Sequence, residues 1–168
     1  MYKYLKISII LIFAFAINTI LADTLSEEAS ERGINETCVD YLSQVEKSYG
    51  LSGLNITFAH PNNPTKLPSL HFTSKKYNNG SSTFSATLIP DNEYCYLSTV
   101  FTTSVNNQTC DEINLLKMKE DSSLTSNSYA EGSYTIITPI DNSYQIVLSN
   151  SGERACTISE TQMLWPGK

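Results

Sequence analysis

The chain has 168 residues, 17 acidic and 11 basic, for a net charge of −6, with four cysteines and ten tyrosines. Charged residues make up 17%, against about 25% in an average globular chain, and the polarity comes instead from 22 Ser, 17 Thr and 14 Asn. The length suits one domain or two small ones, the aromatic content is too high for a wholly disordered chain, and the acidic balance argues against a nucleic-acid binder.

Residues 1–22 read as a secretory signal peptide. Lys3 and Lys6 give a basic start, Ile7 to Ile17 are apolar except for Ser8, and Ile20-Leu21-Ala22 ends in a small residue. A membrane span needs about 20 apolar residues, and this core falls short of that. Cleavage is expected after Ala22, with Ala14-Phe15-Ala16 as a second candidate; an uncleaved anchor helix is the alternative. No later stretch approaches spanning length, so no membrane span is expected after cleavage. The remaining chain carries 9 basic and 17 acidic residues, a net charge of −8.

Residues 23–36 hold five acidic groups and one Arg and read as a flexible acidic leader. The single domain is expected over 37–168. Its first helix opens at Thr37, with Asp40 three residues on. Cys38, Tyr41, Leu42, Val45 and Tyr49 then share one face, and Gly50 stops the helix. Residues 59–68 contain Pro61, Pro64 and Pro68 and read as a loop or an extended edge. Strands follow: Leu70 and Phe72 alternate with polar residues, Asn79-Gly80 marks a hairpin of positive φ, and Phe84, Ala86 and Leu88 alternate on the return. After a turn at Pro90-Asp91-Asn92, Cys95, Leu97, Thr99, Phe101 and Thr103 share one face of a strand, and Tyr94, Tyr96, Ser98, Val100 and Thr102 the other. Thr109 and Glu112 open a second short helix bearing Ile113, Leu115, Leu116 and Met118. Residues 120–132 read as a loop, strands are expected near 133–138, 144–149 and 154–160, and the tail Met163-Leu164-Trp165-Pro166 is expected to pack on the body.

The halves 37–105 and 109–160 share an order. Thr37-Cys38-Val39-Asp40 and Thr109-Cys110-Asp111-Glu112 open the two helices, and Cys95-Tyr96-Leu97-Ser98 and Cys156-Thr157-Ile158-Ser159 lie on the last strands. The fold expected is α+β: an antiparallel sheet with two short helices, read as a tandem α-β-β-β duplication stapled by disulfides. Four cysteines in an exported chain allow three pairings. Equivalent halves favour Cys38–Cys95 with Cys110–Cys156. The crossed set Cys38–Cys156 with Cys95–Cys110 is the runner-up.

Catalytic parts are scarce. His60 precedes Pro61 in the loop, and His71 is expected on the exposed side of its strand, opposite Leu70 and Phe72. There is no G-x-S-x-G turn, no H-E-x-x-H helix and no Gly-rich phosphate loop. Asp111-Glu112, Glu120-Asp121 and Glu27-Glu28 read as helix-start or loop acids. No Cys-x-x-Cys zinc pattern occurs, so no catalytic residue, metal or cofactor is assigned. Tyr94, Tyr96, Tyr134 and Tyr144 are the candidate binding residues, because Tyr offers a large rigid ring with a polar tip; cross-strand aromatic packing is the plainer explanation. Asn-x-Ser/Thr patterns at Asn35, Asn55, Asn79 and Asn107 are about as many as chance gives in so Asn- and Ser-rich a chain.

Cys38, Cys95, Cys110-Asp111-Glu112 and the run from Gly152 through Cys156 to Glu160 resemble a loose group of uncharacterised exported proteobacterial proteins, over about residues 37–160. The Asn, Ile, Lys and Ser bias also resembles the products of AT-rich bacterial genomes. The resemblance implies export and paired cysteines and brings no activity. The expectation is therefore a periplasmic or secreted non-enzymatic protein that binds a protein or a glycan through a Tyr-bearing sheet face or loops. An envelope hydrolase or hydrolase inhibitor, and a structural accessory protein, are the alternatives.

Overall fold

Helix starts in this chain are set by side-chain caps, and they begin earlier than the hydrophobic spacing suggests. In the computed structural model, which describes residues 24–164, the acidic leader is in part a helix, α1 (Leu25–Glu31). Thr24 and Glu27 form a capping box at its start. Seven residues are too few to hold a helix alone; here Leu25 and Ala29 are buried in the core, and Glu46 reaches across from the next helix. Its carboxylate accepts from the backbone N–H of Leu25 (2.6 Å) and Ser26 (3.2 Å) and from the Ser26 hydroxyl (2.7 Å). This contact is why residues 25–31 are ordered, contrary to the expectation from composition. Replacing Glu46 by Ala strands three buried donors and should lower unfolding free energy by about 2 kcal/mol. Glu46→Gln keeps an acceptor and should lose less. Urea midpoints of the two variants check this order.

Helix α2 (Glu36–Tyr49) is capped by Asn35, whose side chain accepts from the Cys38 N–H, so it starts before the expected Thr37. Gly50 closes it in the left-handed conformation, φ +59°. Strands β1 (Leu54–Phe58), β2 (Ser69–Tyr77), β3 (Gly80–Asp91) and β4 (Tyr94–Asn106) then form an antiparallel meander. At the β2–β3 hairpin neither Asn79 nor Gly80 has a positive φ. Gly80 is needed for another reason: a Cβ there would overlap the Ser104 carbonyl oxygen on β4.

The second half repeats the order. Helix α3 (Cys110–Glu120) has the expected Thr109/Glu112 capping box, and β5 (Leu124–Tyr129), β6 (Tyr134–Pro139), β7 (Tyr144–Gly152) and β8 (Ala155–Leu164) form a second meander. Each half thus has four strands, not three. The added strands, β1 and β5, are the two sheet edges; β1 falls before the proline loop, and β5 lies where a polar loop was expected. Met163 and Leu164 extend β8 beside Ser98 and Leu97. The signal-like segment and Trp165-Pro166 lie outside the described residues.

The sheet order is β1-β2-β3-β4-β8-β7-β6-β5. The halves join where β4 runs antiparallel to β8, from Leu97↔Leu164 to Asn106↔Ala155. All three helices pack on one face. Leu25, Leu42, Phe84, Leu88 and Leu97 form one core under α1 and α2. Ile113, Leu124, Ile137, Ile146 and Leu148 form a second under α3. Disulfides join Cys38 to Cys95 and Cys110 to Cys156, each tying a helix start to the last strand of its own half.

Candidate functional site: the uncovered sheet face

Side chains alternate across a strand, so the register assigns each residue to the helix side or to the open side. Phe84, Ala86, Leu88, Cys95 and Leu97 point to the helices and are buried. Pairing of His71 with Ala86 and of Thr73 with Phe84 places both on that same side. The expected exposure of His71 is therefore overturned: it is fully buried, and Leu70 on the opposite side is 41% exposed. Its ring lies between two hydroxyls, with Nδ1 3.0 Å from Thr57 Oγ1 and Nε2 2.8 Å from Ser69 Oγ. Burial pushes its pKa down to about 4. His60 accepts through Nδ1 from the backbone N–H of Asn62 and Asn63, which pins its own turn.

On the helix side the two halves are also linked by polar groups. The Tyr49 hydroxyl at the end of α2 donates to Glu160 Oε1 on β8 (2.6 Å) and accepts from Gln162 Nε2 (3.0 Å). Burial, followed by the Glu160 carboxylate, raises the Tyr49 pKa. No spacing in the sequence relates residues 49 and 160, so nothing there pointed to this contact.

The candidate tyrosines separate. Tyr94 and Tyr96 stand on the open face near the β3–β4 turn, where Tyr94 is 51% exposed. Tyr134 is on the same face but level with Ser149, Thr157 and Ser104. By flat-sheet geometry that is about 30 Å from Tyr96. Tyr144 is on the helix side, paired with Gln162 and packed against the second core. The four do not form one site, because β7 presents its even-numbered residues to the helices.

What the open face has instead is a central surface almost free of charge. Its strand positions carry Ser, Thr, Asn, Gln, Tyr and aliphatic side chains. Among the described strand residues on this face the charged ones are Lys76 and Asp91, both near strand ends. Hydroxyls fall in register across the sheet. Ser81 pairs with Ser104, Ser104 with Thr157, Thr157 with Ser149, Ser149 with Tyr134, and Tyr134 with Tyr129. A second file, Ser74, Thr83, Thr102 and Ser159, runs one pleat away. Thr102 and Ser159 hydroxyls are 3.1 Å apart. Toward the β1 edge the face turns apolar, with Leu54 60% and Phe58 61% exposed beside Ile56, Leu70 and Phe72.

Among the described residues no group of three or more His, Cys, Asp or Glu side chains is placed to hold a metal ion, and no helix is long and apolar enough to cross a membrane. No protein-family model matches the chain, and no curated protein or solved structure matches it either.

Proposed function

We propose that this is an exported, non-enzymatic binding protein of the bacterial envelope that recognises a protein or a glycan through its uncovered sheet face. One observation carries the reading: in a chain of net charge −8 after the expected cleavage, the whole interior of that face is free of charge. Charged side chains cost little on a solvated surface and are the usual guard against unwanted association. Their absence from one broad face, with hydroxyls and Tyr rings in their place, suits a surface that is desolvated on binding. Export is supported by the signal-like residues 1–22 and by the pairing of all four cysteines. The same reading takes the halves as a duplicated unit, since each has its own helix, meander, core and disulfide.

Thr102 sits mid-strand in the centre of this face. Replacing it by Lys places an ammonium where a partner would have to desolvate it. Binding to immobilised envelope polysaccharide or to solubilised envelope proteins should weaken at least about tenfold, with both disulfides and the thermal midpoint retained. Leu115→Lys, on an exposed position of α3 in the opposite layer, should bind as the parent does. Equal binding by the parent and Thr102→Lys rejects the face as the site.

A further inference from the structure

We propose that the occupant of this face is a neutral linear glycan lying across the strands, along the file Ser81, Ser104, Thr157, Ser149, Tyr134 and Tyr129. This rests on the reading of the open face as the binding surface and adds the ligand class and its direction.

Neighbouring strands lie about 4.8 Å apart, so the file offers one hydroxyl group at each such step over six strands. A β-linked hexose chain repeats at a length close to this spacing, so successive sugars meet successive strands. Each Ser or Thr hydroxyl both donates and accepts and can rotate to suit a sugar hydroxyl. A glycan chain also turns between units and so can follow the twist of the sheet. Ser104 and Thr157 hydroxyls lie 3.5 Å apart and can satisfy each other in part, but an apolar partner would still desolvate the row without replacing its bonds to water, at a cost. A polyanion would find one cation, Lys76 beside Ser81 at the end of the row, none along its other strands, and a protein of net charge −8. The file ends at Tyr134 and Tyr129, which face each other across β6 and β5 and are 50% and 52% exposed. Such a pair presents ring surface for sugar C–H groups and phenolic tips for their hydroxyls.

The test is calorimetric titration of the disulfide-intact protein. The probes are a length series of neutral β-1,4-linked glucose and N-acetylglucosamine oligomers, with a polyuronate series beside them. Affinity for a neutral series should climb with length and level off at about five or six units, the span of the file. Tyr129→Ala combined with Tyr134→Ala should weaken it about tenfold or more, and Tyr134→Phe, which keeps the ring, should weaken it less. Leu115→Ser, on an exposed position of α3 in the opposite layer, should change nothing. Equal affinity for polyuronates, no dependence on length, or indifference to the double Tyr variant overturns the assignment of a neutral glycan to this file. If oligomers fail to bind while an envelope protein is captured and released by Thr102→Lys, the face stands as a binding surface and the ligand is a protein. If nothing is sensitive to Thr102→Lys, both readings fall together.

Discussion

Replacing Cys38 and Cys95 together by Ser is expected to lower the free energy of unfolding by about 4 kcal/mol, and the Cys110/Cys156 pair should cost a similar amount. The bridges span 57 and 46 residues of chain. Loop-closure entropy grows only with the logarithm of that length, so the two effects should nearly match. Each bond also anchors a helix start over a separate core, so the losses should add within a few tenths of a kcal/mol. A domain of ordinary size is stable by about 5–15 kcal/mol, so a chain lacking both bridges is expected to be at the margin of folding. Urea unfolding of the oxidised protein and the two double variants measures this. Hydrogen exchange should quicken mainly in the half that lost its bridge. Unchanged midpoints would show that the bonds do not restrain the unfolded chain as argued.

Acidification should weaken the fold through His71. Buried between two hydroxyls, the folded ring has a pKa of about 4, against 6.5 when unfolded. Both hydroxyls can accept as well as donate, so the imidazolium would not lack partners; desolvation of the charge is the cause. Between these two values the unfolded chain binds a proton that the folded chain does not. Stability from this group is therefore full above pH 6.5, falls as pH drops through the window, and is spent by about pH 4. The loss amounts to about 3 kcal/mol over that range. Carboxylates titrate at the lower end, so the measurement is a comparison with His71→Gln, which bonds the hydroxyls but does not charge. Urea midpoints at several pH values from 7 to 4 should fall more steeply for the parent. Parallel curves would sink the assignment.

The elements with local chemical signals were legible. Thr109 and Glu112 marked the start of α3, Gly50 the end of α2, and the alternation from Tyr94 to Val105 a strand with its cysteine on the core side. The similar order of the two halves, with a Thr-Cys pair early in each, favoured the disulfide set found. Three elements were not legible because what holds them is not written in their own residues. Helix α1 depends on Glu46. Strand β1 turns Leu54, Ile56 and Phe58 outward and buries Thr57 against His71, so its pattern misleads. Strand β5 is polar and is held by β6 and by Leu124 in the second core. Nor did the apolar residues of α3 say which of them is buried: Leu115 and Leu116 are 70% and 49% exposed, and Ile113 is buried.

The candidate site divides in the same way. Tyr94, Tyr96 and Tyr134 stand on the open face, but their separation, the turning of Tyr144 to the other side and the hydroxyl files depend on pairings between β4, β8, β7 and β6. By itself the amino-acid order determined the alternation of the six inner strands, the Gly50 stop of α2 and the cysteine pairing, because these depend on neighbours a few residues away or on similar local patterns. Only the tertiary structure decided which side of β2 meets the helices. A period of two leaves that choice open, and it is made by the register against an already buried neighbour: Ala86 and Phe84 draw His71 and Thr73 inward and leave Leu70 and Phe72 outside.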